Sequence, residues 1–211
     1  VFMDTTATIP TGTMAERWNF KNFIVYGFWV GMFPYAIYGS WVWGGGWLAQ
    51  SGINWGLGHG AVDFAGSGVV HMCGGMIAIA GGLVCGPRLG KYGPDGKARP
   101  IPGHDTTIVM LGTFILAFGW FGFNPGSTLG ASAAGCLRIG SVAVNTMLAG
   151  CTGTFGAMLY MWALKGKPDA SMSANGLLAG LVAITAPSGF VNSVSSAIIG
   201  LIAGVLVCLS V

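Results

Sequence analysis

Few side chains in this sequence could do chemistry, and two of them lie close together. Asp63 and His71 fall within GHGAVDFAGSGVVHMCGGMIAIAGGLVCGPR, residues 58–88. From Phe64 to Gly86 that stretch has no formal charge and is long enough to cross a bilayer. His71 is the one histidine inside an apolar span; His59 and His104 fall in loops. An ionisable group in lipid costs a few kcal/mol, so it marks either a functional site facing the bundle interior or an interhelical hydrogen bond. An imidazole can also hold or pass a proton near neutrality. Asp63 opens the span. Its carboxylate can cap the helix and meet the positive end of the helix dipole, or act as an anionic centre that orders the mouth of a cation route. On the capping reading, Asp63→Asn keeps an oxygen and is milder than Asp63→Ala.

Aromatic and hydroxyl groups form the second set. Trp43 precedes a Gly-Gly-Gly run. A tryptophan face attracts a small cation by about 0.5–2 kcal/mol. The bland alternative is an interfacial belt with Trp41, Trp47 and Trp55. In LAFGWFGFNPGS, Leu116, Trp120, Phe123 and Ser127 recur at helical spacing. That face suits packing or a pore lining, and Pro125 breaks the helix near its end. Glu16 and Arg17 open a connection and can pair with each other.

The elements that must position these groups are membrane helices. The chain has 211 residues, 53% hydrophobic and only 7% charged, with a mean hydropathy of +0.70. A water-facing surface needs about 25% charged residues. An outer-membrane barrel needs short alternating strands, whereas the apolar runs here are long. The reading is an all-α, polytopic membrane helix bundle. Its spans are expected at residues 1–14 (partial), 23–42, 61–86, 106–123, 139–164, 172–187 and 194–211. The 38 glycines fit closely packed membrane helices. The five cysteines show neither CxxC pairing nor metal spacing. A net charge of +3 spread over loops is no nucleic-acid signal.

Basic residues alternate between connections. Arg17 and Lys21, then Arg88, Lys91, Lys97 and Arg99, then Lys165 and Lys167 fall in every second connection, leaving Arg138 on the other side. The positive-inside rule assigns the larger group to the cytoplasm. Trp43 and Asp63 then face outward. The sequence starts and stops within apolar segments, which reads as part of a longer protein.

MAERW, WVWGGG, DFAGSGVVH and FGWFGFNPGS, in this order and spacing along essentially the whole chain, resemble the Amt/Mep/Rh family of ammonium transporters, most like the bacterial Amt type. The resemblance implies an eleven-helix protomer in a homotrimer, with one pore per protomer, in the cell membrane. It implies no cofactor, no metal and no enzymatic activity. Its implied partners are ammonium or ammonia, methylammonium, membrane lipid and a PII-type regulatory protein on the cytoplasmic face. This chain would cover the end of the third helix to the ninth. Residue by residue, Trp43, Ser127 and Thr185 resemble the outer recruitment site. Asp63 resembles the acid that organises it, and Phe2 and Phe123 the stacked phenyl gate. His71 resembles the first of two pore histidines, with Leu116 and Trp120 as lumen lining. The second pore histidine of the family belongs to a later helix, beyond Val211. The outer segment SGINWGLGH is an insertion relative to the family.

The chemistry fits this resemblance. A hydroxyl can accept a hydrogen bond from ammonium, and potassium has no proton to donate. Phenyl rings and an apolar tube exclude a bare cation far more than ammonia. Two rival readings are an ammonium sensor built on the same bundle and a membrane oxidoreductase with histidine-bound haem or metal. The second needs further span histidines at ligand spacing.

Overall fold

The computed structural model describes residues 1–132 and 134–211. These form two compact units, Val1–Gly103 and His104–Val211. Both are built from helices; among the described residues the one β contact is an isolated bridge between Tyr92 and Ala98. Among the described residues, four helical stretches are long and apolar enough to cross a membrane: Ser67–Cys85, Thr106–Thr128, Gly135–Lys165 and Ser193–Ser210. Ala170–Thr185 is a shorter apolar helix. The protein is an all-α membrane bundle.

In the first unit, α1 (Phe2–Met14) packs on α5 (Cys73–Cys85). A Cβ at Gly74 would come within 2.9 Å of the Ile9 side chain, so the two backbones approach because Gly74 has none. The expected span at 23–42 is two helices end to end, α2 (Phe20–Met32) and α3 (Pro34–Val42). Pro34 has no N–H, and Phe33 is pushed out of helical geometry (φ −115°, ψ −81°). A short α4 (Ser51–Trp55) lies in the connection that follows. The expected span at 61–86 becomes helical only at Ser67, in a π-helical stretch Ser67–Met72 that runs into α5.

In the second unit, α6 (Thr106–Phe123) is capped by Asp105, whose carboxylate accepts from the Thr107 and Ile108 amides. A 3₁₀ turn, Pro125–Thr128, follows. The long α7 (Ala134–Lys165) packs against α8 (Ala170–Thr185) and α9 (Ser193–Ser210). Asp169 and Asn192 cap those two helices through the Met172 and Ser195 amides. Gly153 is where the three helices meet. A Cβ on Gly176 or Gly204 would run into the Gly153 carbonyl. A core of Ala117, Trp120 and Leu181 joins α6 to α8.

Candidate functional site

In the first unit the chemistry-bearing groups converge on the turn that leads into the π-helical stretch. Gly66 adopts φ +113°, a left-handed conformation that residues other than glycine rarely take. The reversal there aims three amide N–H groups at one carboxylate. Asp63 Oδ1 accepts from Gly66 N at 2.8 Å, and Oδ2 accepts from Gly68 N and Val69 N, both at 2.9 Å. This satisfies amides that would otherwise lack partners at the start of a helix. Asp63 caps from three residues before Gly66, the residue that flanks the helix, and it uses both oxygens. The use of both oxygens narrows the advantage expected of Asp63→Asn over Asp63→Ala. An asparagine offers one oxygen, and its NH₂ would face N–H donors.

The Asp63 main chain fixes Trp43. The indole Nε1 donates to the Asp63 carbonyl at 2.6 Å, and the residue is 39% exposed. Phe2 packs on the same indole, with centroids 5.6 Å apart at 43°. Gly66 also lies against it, since a Cβ there would come within 3.4 Å of the ring and 2.7 Å of Val70. His71 occupies the last turn of the π-helical stretch, a distortion found often at functional sites. Its Nδ1 lies 3.1 Å from the Gly66 carbonyl. A carbonyl only accepts, so Nδ1 carries the proton and Nε2 is the acceptor atom of the neutral ring. Gly66 thus links the carboxylate, the indole and the imidazole. The sequence reading did not single it out, although a glycine between an acid and the first helical residue in DFAGSG was a readable sign. Tyr38 was missed too: its hydroxyl lies 3.0 Å from where a Gly68 Cβ would be.

In the second unit the expected face does not run unbroken. Leu116 is 49% exposed, while Trp120 is buried in the α6–α8 core. Ser127 falls in the 3₁₀ turn beyond Pro125, and its Oγ donates to the Phe123 carbonyl at 2.8 Å. Trp120 and Phe123 remain neighbours, with centroids 5.8 Å apart. Thr185 is fully buried. Its Oγ1 donates to the Leu181 carbonyl at 2.7 Å and accepts from Trp120 Nε1 at 3.0 Å. The sequence reading also missed Asn145. Its Nδ2 donates to the Ser188 and Val191 carbonyls, and its Oδ1 accepts from Ser193, so one buried amide ties α7 to the α8–α9 connection. Among the described residues, no three His, Cys, Asp or Glu side chains could share a metal ion.

The whole chain, residues 1–211, matches the Ammonium Transporter Family. It is 53% identical over 206 residues to ammonium transporter Amt2 of Archaeoglobus fulgidus, covering 97% of this chain and 43% of that protein. Among solved structures it resembles a sensor Amt protein, at a TM-score of 0.90 and 40% identity, over 99% of this chain and 50% of that one. It also resembles Mep2 of Candida albicans, at a TM-score of 0.81 and 34% identity, over 97% of this chain and 42% of that one. The chain thus spans between two fifths and half of the length of these relatives.

Proposed function

This chain belongs to the ammonium transporter family, and on that premise we propose that the protein containing it moves ammonium across the cell membrane. The observation that carries the reading is the turn at Gly66, from which one short segment holds an aromatic face at Trp43 and an imidazole at His71. Trp43 attracts the cation through its π face, with its orientation set by the Asp63 carbonyl. Asp63 organises the segment and does not touch the substrate. Phe2, seated on Trp43, and Phe123 serve as phenyl gates. Ser127 serves recruitment as a hydrogen-bond acceptor that ammonium can use and potassium cannot. His71 gives an apolar passage a hydrogen-bonding group for ammonia or a proton. Leu116 lines the passage. Trp120 is held by Thr185, which acts here as a positioning residue. Methylammonium is a second substrate, the assembly is a homotrimer, and a PII-type protein binds the cytoplasmic face.

The test is the full-length protein in liposomes, with internal pH and methylammonium uptake followed after an ammonium gradient is applied. Trp43→Leu is expected to raise the half-saturating ammonium concentration by about twofold to thirtyfold, the range of a cation–π contact of about 0.5–2 kcal/mol. His71→Ala is expected to lower the maximal rate or admit potassium. Wild-type kinetics and selectivity in both variants would overturn the reading. A second reading, an ammonium sensor using the same bundle, draws on the similarity to the sensor Amt protein. Saturable ammonium binding without flux in the wild-type protein would favour it.

A further inference from the structure

At the end of the first unit that the charge pattern assigns to the cytoplasm, two arginines reach across each other's helices. Arg17, just beyond α1, donates through Nη1 to the Gly86 carbonyl at the end of α5. Arg88, just beyond α5, donates through Nη2 to the Gly12 carbonyl in the last turn of α1, at 2.8 Å. Each guanidinium therefore sits at the negative end of the neighbouring helix. A guanidinium has five N–H donors, so one such bond leaves most of its capacity unused. Nε of Arg17 is buried and has no hydrogen-bond partner among the described residues.

Beside them a pocket of about 350 Å³ is lined by Arg17, Pro87, Arg88, Lys91, Tyr92 and Ile101. Lys91 and Tyr92 stand on a built hairpin. The Arg99 amide donates to the Lys91 carbonyl, the Gly93 amide to the Lys97 carbonyl, and Tyr92 bridges to Ala98. The pocket thus combines three cations, a phenol and an apolar wall from Pro87 and Ile101. Little negative charge offsets the cations. Among the described residues their one ion pair is Arg88 Nε with Glu16, at 4.0 Å, and the Glu16 side chain is 72% exposed. A contact of that length and exposure compensates weakly.

We propose that this pocket binds the phosphodiester of an anionic membrane lipid. Arginine forks match phosphate oxygens, and lysine and the phenol supply further donors. The phosphate would relieve the repulsion among the three cations. The source is a lipid rather than free phosphate because the pocket lies where the apolar helices α1 and α5 end, and because its wall is partly apolar. Basic pockets at cytoplasmic helix ends suit such headgroups.

The experiment uses the full-length protein in detergent, with native mass spectrometry of bound dioleoylphosphatidylglycerol and dioleoylphosphatidylcholine. Inorganic phosphate serves as competitor. Arg17 and Arg88 hold helix ends, so the variants are Lys91→Glu and Glu16→Gln, each checked for an unchanged melting temperature. Phosphatidylglycerol is expected to bind about tenfold more weakly to Lys91→Glu and about twofold more tightly to Glu16→Gln, with phosphatidylcholine unaffected. Equal phosphatidylglycerol affinity in the wild type and Lys91→Glu overturns the proposal. So does Lys91-dependent binding of inorganic phosphate with no preference between the two lipids, which would make the site one for free phosphate.

Discussion

The two units hold their key segments by different physics. In the first, one carboxylate gathers three amides across a turn that only glycine makes easily, and an indole and an imidazole hang from the same few residues. In the second, α7, α8 and α9 are held by backbones in near contact at Gly153, Gly176, Gly180 and Gly204. A neutral amide, Asn145, adds hydrogen bonds there without charge. A charged cap concentrates stabilisation in one side chain and fails when that side chain changes. Small-residue packing spreads it over many contacts, each worth little. The first arrangement suits a segment that must present chemistry in a defined direction, and the second suits a scaffold.

The sharpest break in this comparison comes at Asp63. Hydrogen bonds to a charged group contribute about 1.5–3 kcal/mol each. Asp63→Ala removes three such bonds. The expected result is a loss of several kcal/mol in local stability, seen as a strongly lowered melting temperature of the full-length protein and little uptake. Asp63→Asn is expected to be nearly as damaging, because its NH₂ group replaces one accepting oxygen. An Asp63→Asn protein with wild-type melting and uptake would show that charge and the second oxygen are dispensable, and the contrast between the units would lose its basis.

The scaffold offers the next test. A Cβ at Gly204 would meet the Gly153 backbone, whereas one at Gly75 meets nothing within 4 Å. Overpacking of this kind costs about 1–3 kcal/mol. Gly204→Ala should therefore melt lower, and Gly75→Ala should melt at the wild-type temperature or slightly above it, since alanine favours helix by up to about 1 kcal/mol. Thermal unfolding of the two variants side by side reads the difference. Equal melting would mean that α7 and α9 can separate at no cost.

How far the sequence could lead depended on the kind of interaction. Long charge-free runs disclosed the membrane helices, because lipid demands them, and four motifs disclosed the family. The helix caps at Asp105, Asp169 and Asn192 stand where acid or amide side chains precede apolar runs. The π-helical stretch at His71 was not readable from hydropathy, since it changes no composition, whereas the break at Phe33 was marked by Pro34, which hydropathy alone passes over. The use of both Asp63 oxygens was hidden for a related reason. It depends on the positive φ at Gly66, which is a property of the backbone rather than of any side chain. Pro125 announced the end of the regular helix, and the chain does tighten there into a 3₁₀ turn. Helical spacing alone did not disclose that Trp120 is buried against Thr185 while Leu116 is 49% exposed.

The smallest expected effect concerns Thr185, where the second unit most resembles the first, in that one polar bond orients an aromatic side chain. Thr185 Oγ1 accepts from Trp120 Nε1 and donates to Leu181, entirely buried. Thr185→Val has nearly the same shape and lacks both bonds, so packing is kept while the orientation of the indole loses its polar anchor. A net hydrogen bond contributes about 0.5–1.5 kcal/mol, so the stability loss should be about 1–2 kcal/mol, well below that of Asp63→Ala. Thr185→Ser retains the hydroxyl and should recover most of it, at the cost of one methyl contact. Melting temperatures of the three proteins order the effects, and ammonium uptake separates positioning from simple stability. If Trp120 matters through its orientation, Thr185→Val alters uptake at temperatures where it is fully folded, and Thr185→Ser does not. Identical uptake in all three folded proteins would leave Thr185 a packing residue of the α6–α8 core.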